Sequence, residues 1–243
     1  MNAEDAFDSK FSGVIGQEYD VLKKICPLAA EMSRLVGEEV MGCCRERSDY
    51  RTLIELGGGT GITTLSILLA NNDLQVLSVD NEPTMQNQAK QSLRDWVNSG
   101  RLEFCCNDAL TVLKNLEDDS VDIVASAYTL HNFERGYRKL VIEEIFRVLA
   151  PGGRFINGDR YALDDIDQHT CTTQKEVTEY FRVLTEMNRL DLLEQWVLHL
   201  IGDESESRIM RESVALAQLK AAGFQNVQLT ARKEVNALVT AIK

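Results

Sequence analysis

The sequence predicts an α/β protein built on a Rossmann-like, seven-stranded sheet that is mostly parallel. Short β-rich segments alternate with helical segments from residue 51 to residue 158. Strands that alternate with helices imply crossover connections, and such connections place neighbouring strands parallel to one another. The chain then ends in two β-rich segments joined by a short link, which forces these two strands to pair antiparallel.

Each element follows from a local pattern. The helix at 83–97 opens with proline in its first turn, where a missing N–H is tolerated. The glycines at 152–153 end the helix at 137–149 and begin the next strand. The predicted strands are TLIEL (52–56), QVLSVD (75–80), LEFC (102–105), VDIVAS (121–126), PGGRFING (151–158), NVQLT (226–230) and ALVTAI (237–242), and the remaining helices are 62–70 and one that ends at AAGF (221–224).

Two helical pieces flank this alternating core. Between 172 and 200 apolar residues recur at helical spacing with no strand before them, which indicates a helical insertion. The first fifty residues also have a helical pattern. We therefore divide the chain into a helical N-terminal cap (1–48), an α/β core (49–162), a helical insertion that forms a lid (163–207) and a C-terminal helix and strand pair that complete the core (208–243).

The overall composition excludes several classes of partner. The 243 residues carry a formal net charge of −12, which disfavours binding to nucleic acid and to anionic membranes. The first ten residues lack the basic start and apolar run of a signal peptide, so we expect a cytoplasmic protein. The six cysteines form no C-x-x-C pair and no histidine lies near them at ligand spacing, so no metal site is predicted. The sequence is also compatible with a homodimer.

A glycine-rich turn after the first strand indicates a bound ligand. The sequence ELGGGTG (55–61) has the spacing E-x-G-x-G-x-G and leads directly into a helix. Bare backbone amides at a helix N-terminus suit a close approach by an anionic or polar ligand. Ile62 stands where both a phosphate-binding P-loop and the dinucleotide fingerprint require glycine, and no lysine follows it, so neither of those motifs is present.

This loop resembles the first motif of class I S-adenosylmethionine-dependent methyltransferases. SVDNEP (78–83) is similar to the second motif, in which the acid binds both ribose hydroxyls. CNDAL (106–110) is similar to the third, in which the acid and the next backbone amide bind adenine. The resemblance implies S-adenosyl-L-methionine as cofactor and a lid aromatic near its sulfonium. The implied cofactor-binding residues are Glu55, Gly57, Gly59, Gly61, Asp80, Asn81, Asp108, Ala109, Ala127 and Tyr19.

Simpler roles stay open for the three acids. Glu55 can cap the loop, Asp80 can be a turn residue before Pro83, and Asp108 can be a helix N-cap, since aspartate is a preferred capping residue.

The residues after the fourth and fifth strands are the candidates for chemistry. Ligands of open α/β sheets bind beyond the carboxyl ends of the strands. His131 can deprotonate an oxygen or nitrogen acceptor there, or it can be a loop histidine bonded to backbone. Asp159 and Tyr161 can orient or deprotonate a substrate amine, and Arg160 can hold a carboxylate. We expect His131, Asp159 and Tyr161 to be catalytic.

Three functions are compatible with this pattern. The segment 127–165, followed by a helical insertion, resembles the branch of the family that contains carboxy-S-adenosylmethionine synthase. The leading prediction is methyl transfer to a small molecule. The first alternative is an enzyme that consumes the cofactor without methylating anything, either by carboxy transfer or by closing the methionine chain to azetidine-2-carboxylate and releasing methylthioadenosine. The second is a non-catalytic partner subunit that keeps the fold.

Overall fold

The computed structural model describes residue 24 and residues 27–243, and within these it shows a single seven-stranded sheet. The strand order is β3-β2-β1-β4-β5-β7-β6. Strands β1 to β5 run parallel, and β7 is antiparallel to both of its neighbours. This confirms the predicted fold class. The strands are β1 (Thr52–Leu56), β2 (Gln75–Asp80), β3 (Leu102–Cys106), β4 (Val121–Ala127), β5 (Leu149–Arg160), β6 (Gln225–Lys233) and β7 (Asn236–Ile242).

The predicted helices at 62–70 and 137–149 lie within two residues of helices in the structure, whereas the short helix Ala109–Lys114 was not predicted. The predicted helix 83–97 is two helices, because Leu93 leaves helical geometry at φ −105° and ψ 18° while its side chain is buried in the core. The helices are α1 (Pro27–Glu46), α2 (Ile62–Ala70), α3 (Pro83–Ser92), α4 (Arg94–Asn98), α5 (Ala109–Lys114), α6 (Arg135–Val148), α7 (Ile166–Glu186), α8 (Leu190–Asp203) and α9 (Glu212–Ala222), with a 3₁₀ turn at Leu130–Asn132.

A separate apolar core covers each face of the sheet. The side chains of a strand alternate between its faces, so Leu53 packs with α1 and α2 while Ile54 packs with α5, α6 and α9. Both residues are buried. Burial on both faces explains why the central strands are continuous apolar runs rather than alternating ones.

Helices α7 and α8 lie in the segment of the predicted insertion, and they share a third apolar cluster around Tyr180 and Leu184. Ion pairs connect the insertion to the carboxyl end of β5, where Arg160 contacts Glu176 on α7 at 2.6 Å and Glu204 after α8 at 3.2 Å. The insertion therefore lies over the sheet edge at which ligands are expected. Its role as a lid stays a prediction.

In the part of the chain that the structure describes, no helix combines the length and the apolarity that crossing a membrane requires.

Candidate functional site

The glycine loop after β1 depends on its missing side chains. Gly57 has φ +75°, and a Cβ there would lie 1.9 Å from Oγ1 of Thr129. Gly59 has φ +52°, but a Cβ there would have no heavy atom within 4 Å. Gly57 is thus fixed by packing against the loop that follows β4, whereas Gly59 presents bare backbone to open space. Gly61 directly precedes α2 and completes the turn into that helix.

Glu55 lies beneath this loop rather than facing a ligand. Its side chain is fully buried, and its Oε2 accepts hydrogen bonds from Thr64 Oγ1 at 2.6 Å and Ser78 Oγ at 2.8 Å. Burial raises the pKa of Glu55 to about 7, because the two hydroxyl donors offset only part of the cost of removing the carboxylate from water and the charge of Asp80 adds to it. The geometry favours a structural role for Glu55, joining α2 to β2 beneath the loop, over direct contact with a cofactor.

Asp80 ends β2 and fixes the loop from the other side. Its Oδ2 accepts from Gly59 N at 2.8 Å, and its Oδ1 accepts from Glu82 N at 2.8 Å. Each carboxylate oxygen keeps a second lone pair, so Asp80 can hold the loop and also accept from a ligand. The next residue, Asn81, is exposed.

Asp108 is the N-cap of α5, as the simpler alternative expected. Its Oδ1 accepts from Thr111 N at 2.9 Å and from the Tyr137 hydroxyl at 2.9 Å. The hydrogen bond from Thr111 is the largest cause that lowers the pKa of Asp108 below its usual range. Ala109, the first residue of α5, is buried beside it. Capping and ligand binding do not exclude one another here, because the side chain is only half-buried.

A cavity of about 660 Å³ begins at the glycine loop and extends beneath the insertion helices. Its volume lies in the range of pockets that bind cofactors and small molecules. The described residues that form its walls come from the glycine loop, the ends of β4 and β5, the 3₁₀ turn after β4, and helices α1, α2, α3, α7 and α8. They include Gly58, Gly59, Thr60, Met85, Ala127, Tyr128, His131, Arg160, Tyr180, Trp196, His199 and Asp203.

His131 and Asp159 form a buried pair at the inner end of this cavity. After β4 the chain turns through Tyr128, at φ +50°, into the 3₁₀ turn that carries His131. The Nδ1 of His131 lies 2.5 Å from Oδ1 of Asp159. The Oδ2 of Asp159 accepts from the backbone N–H groups of Leu130 at 3.0 Å and His131 at 3.3 Å. The structure thus brings together two of the three predicted catalytic residues.

The electrostatic setting keeps Asp159 ionised although it is fully buried. Burial opposes the charged form, but the charge of His131 and hydrogen bonds from His131, Arg160 and Asn157 outweigh it and hold the pKa of Asp159 below its ordinary value. An ionised Asp159 accepts a hydrogen bond from the Nδ1–H group of His131. A ring proton at Nδ1 leaves Nε2 to face Asp203 and the cavity.

Sequence reasoning missed two further groups, which come from α8. Oδ2 of Asp203 lies 3.6 Å from Nε2 of His131 and 3.4 Å from Nε2 of His199. Burial raises the pKa of Asp203, while the nearby histidines and Arg160 oppose the rise. The signal that could have found these residues is the spacing His199-x-x-x-Asp203, which places both side chains on one face of a helix.

Tyr161 lies elsewhere, and the structure does not support its expected role at the substrate. Its ring is buried in the core on the α6 side of the sheet, and its hydroxyl accepts from Asn157 Nδ2 at 2.7 Å. Burial raises its pKa far above the usual range. Arg160 does reach the cavity, but its guanidinium is occupied by Glu176 and Glu204. Tyr19 lies outside the described residues.

The chain is similar to methyltransferases in sequence and in fold. Residues 54–157 match the methyltransferase domain family. A carboxy-S-adenosyl-L-methionine synthase of Shewanella sp. (strain ANA-3) is 22% identical over 161 residues, which cover 65% of this chain and 62% of that protein. The chain thus spans less than two thirds of that relative's length.

Solved structures share the fold at low sequence identity. An O-methyltransferase family protein from Burkholderia thailandensis superposes with a TM-score of 0.67 at 19% identity, covering 100% of this chain and 63% of the other. The structure of PigF with SAH superposes with a TM-score of 0.59 at 16% identity, covering 85% of this chain and 55% of the other.

The raised pKa of Glu55 predicts a pH-dependent effect of Glu55→Gln. Below pH 4.5, the ordinary pKa of a glutamate, Glu55 is protonated in both the folded and the unfolded chain. Between pH 4.5 and about 7 it is ionised in the unfolded chain but still protonated in the folded protein. The stability of the ligand-free protein therefore falls across this window as pH rises, and the neutral glutamine escapes that fall. The unfolding free energy of Glu55→Gln, relative to that of the unsubstituted protein, should therefore rise by about 1–3 kcal/mol from pH 5 to pH 8.

Urea denaturation at the two pH values measures this gain. Glu103→Gln is the matched control, because Glu103 is exposed on β3. A Glu55→Gln effect of the same size at pH 5 and pH 8 would show that the buried carboxyl carries no such shift.

Proposed function

We propose that this chain transfers a methyl group to an oxygen or nitrogen of a small molecule, in keeping with the match of residues 54–157 to the methyltransferase domain family. The single observation that carries the proposal is that the glycine loop and His131, whose Nδ1 lies 2.5 Å from Asp159, line one continuous cavity. One end of the cavity suits the cofactor, and the other end suits an acceptor that must lose a proton.

The residues around the glycine loop fit S-adenosyl-L-methionine. We place the methionine end against the bare backbone at Gly59, where no side chain intervenes, and the ribose hydroxyls on the spare lone pairs of Asp80. Asp108 and the N–H of Ala109 are left for adenine. In this arrangement Glu55 does not contact the cofactor. It supports the glycine loop by accepting hydrogen bonds from Thr64 and Ser78 beneath it. The bound cofactor supplies a methyl group that is already activated for displacement.

The protein then has two tasks, alignment and activation of the acceptor. Walls from α7 and α8 enclose the acceptor, and holding two reactants in line is worth effective concentrations of about 10⁵ M or more. His131 activates the acceptor through the Nε2 lone pair, which Asp159 directs by holding Nδ1 at 2.5 Å. Asp159 is a positioning residue in this account, since its oxygens are occupied by His131 and backbone amides.

A second candidate is consumption of the cofactor without methyl transfer. The observation that favours it is the 22% identity to carboxy-S-adenosyl-L-methionine synthase. Arg189 lines the cavity and could meet a carboxylate there, although it also pairs with Asp191 at 2.8 Å. Arg182 is exposed and pairs with Glu179 and Glu186 on its own helix. The cyclisation that releases methylthioadenosine is a third outcome, which the second experiment below distinguishes.

Asp80→Asn should weaken binding of S-adenosylhomocysteine. The substitution removes the charge that accepts from the ribose hydroxyls while one oxygen remains to hold the Gly59 amide. Loss of charge-assisted hydrogen bonds worth roughly 1.5–3 kcal/mol each should raise the Kd by about tenfold or more. Isothermal titration calorimetry measures the Kd, and Asp95→Asn is the control, because Asp95 is exposed on α4. Equal Kd values in all three proteins would leave Asp80 as a turn residue only.

Incubation with S-adenosylmethionine alone separates the candidate reactions. We expect the cofactor to stay almost intact without an acceptor, and S-adenosylhomocysteine to form when a panel of phenols, amines and carboxylic acids is supplied. Mass spectrometry identifies the products. Rapid release of methylthioadenosine without an acceptor would make the chain a cyclase. Product that appears only with prephenate, the carboxylate donor that the resemblance to the carboxy-S-adenosylmethionine synthase branch implies, would make it a carboxy-transfer enzyme.

His131→Asn should abolish the methyl transfer and leave the Kd for S-adenosylhomocysteine within about twofold, because His131 lies at the acceptor end of the cavity. Unchanged turnover in this variant would contradict the assignment of the acceptor site.

A further inference from the structure

We propose that His131, His199 and Asp203 bind one divalent transition-metal or zinc ion at the acceptor end of the cavity. The proposal rests on the proposed function, since it states how His131 activates the acceptor. The three residues come from two separate elements, the turn after β4 and helix α8. All three line the cavity.

The spacing of the three donor atoms fits a metal ion better than direct hydrogen bonds. Oδ2 of Asp203 lies 3.6 Å from His131 Nε2 and 3.4 Å from His199 Nε2, and all the donor atoms lie within 4.8 Å of one another. These contacts are long for hydrogen bonds. Ligands at about 2.0–2.1 Å from a tetrahedral ion are separated by about 3.4 Å, which is close to both measured distances.

Asp203 provides an independent observation. Its side chain is only 6% exposed, and its Oδ1 is buried with no hydrogen-bond partner among the described residues. The guanidinium of Arg160, which also lines the cavity, is already paired with Glu176 and Glu204. A buried carboxylate is costly unless it is paired or coordinates a metal. A metal ion bound by Asp203 would therefore compensate its buried negative charge.

The surroundings of His131 match those of a metal-ligating histidine. Such a histidine donates its second ring N–H to a carboxylate, which fixes the tautomer and the ring orientation. Asp159 does this for His131 at 2.5 Å, and Asp159 is itself fixed by the backbone N–H groups of Leu130, His131 and Arg160. The ring of His199 lies edge-on to that of His131, with 6.3 Å between centroids, which leaves the two Nε2 atoms on the same side as Asp203.

The donor set indicates the class of ion. Two imidazoles and one carboxylate suit Zn²⁺, Fe²⁺ or Mn²⁺, whereas Ca²⁺ and Mg²⁺ prefer sites made of oxygen alone. Three protein ligands leave a position open toward the cavity, as in catalytic metal sites. An acceptor hydroxyl bound there would be polarised and lose its proton to solvent water. Its oxygen would then form the new bond to the methyl carbon while the carbon–sulfur bond breaks and leaves its electron pair on sulfur.

Metal titration of the full-length protein tests the site without any acceptor. After treatment with a chelator, the protein is titrated with Zn²⁺ by calorimetry and with Co²⁺ by visible absorption. We expect one ion per chain and the d–d bands of a four- or five-coordinate Co²⁺ site. His199→Ala and Asp203→Asn should each weaken binding by at least about tenfold. Glu194→Gln, an exposed acid on the same helix, should bind as the unsubstituted protein does.

Several outcomes would overturn the proposal. They are the absence of stoichiometric binding, equal binding in the two ligand variants, and a cobalt–thiolate charge-transfer band that assigns the ion to cysteine. His199 is exposed, so His199→Ala tests the site with little risk to folding, and S-adenosylhomocysteine binding checks that the cofactor end is intact. If methyl transfer depends on His131 but not on added metal, the metal site fails and the proposed function stands. If the ion binds but no acceptor is methylated, the proposed function fails and the metal site stands.

Discussion

The carboxylate of Asp159 holds the end of β4 to the end of β5, and the candidate site depends on this contact. Its Oδ2 accepts from the amides of Leu130 and His131, and its Oδ1 faces the His131 ring nitrogen. One buried anion therefore sets both the backbone of the loop and the direction of the imidazole. Parallel strands bring these two ends together at one edge of the sheet, where an antiparallel pair would have placed them at opposite edges.

Two other acidic residues at this edge of the sheet also hold a loop in place, one from beneath it and one from above. Glu55 is buried under the glycine loop and bonded to two hydroxyls, whereas Asp80 holds the loop from above and keeps lone pairs for a ligand. The insertion is tied down by Arg160, whose guanidinium joins β5 to α7 and to the end of α8. The positive charge of Arg160 thus holds the insertion helices, which form one wall of the cavity. Because Arg160 pairs with Glu176 and Glu204, Asp203 faces His131 and His199 instead.

The sequence predicted the fold because its signals are local. Alternating strand and helix patterns, the glycine loop and a short final link each act over a few residues, and all point to the same sheet. His131 and Asp159 could be predicted from their positions after strands, but Tyr161 could not be excluded. It follows Asp159 by two residues and so shares its face, and its hydroxyl returns to Asn157 in the core. His199 and Asp203 were missed because their proximity to His131 depends on how the insertion folds back over the sheet.

The central claim is that the cofactor's reactive sulfur lies between the glycine loop and His131. A crystal structure of the protein with S-adenosylhomocysteine tests it most directly. We expect the ribose hydroxyls within hydrogen-bond distance of Asp80, about 2.5–3.0 Å, and the thioether sulfur in the cavity on the side of His131 Nε2. A ligand bound outside this cavity, or one whose sulfur points away from His131, would contradict the account.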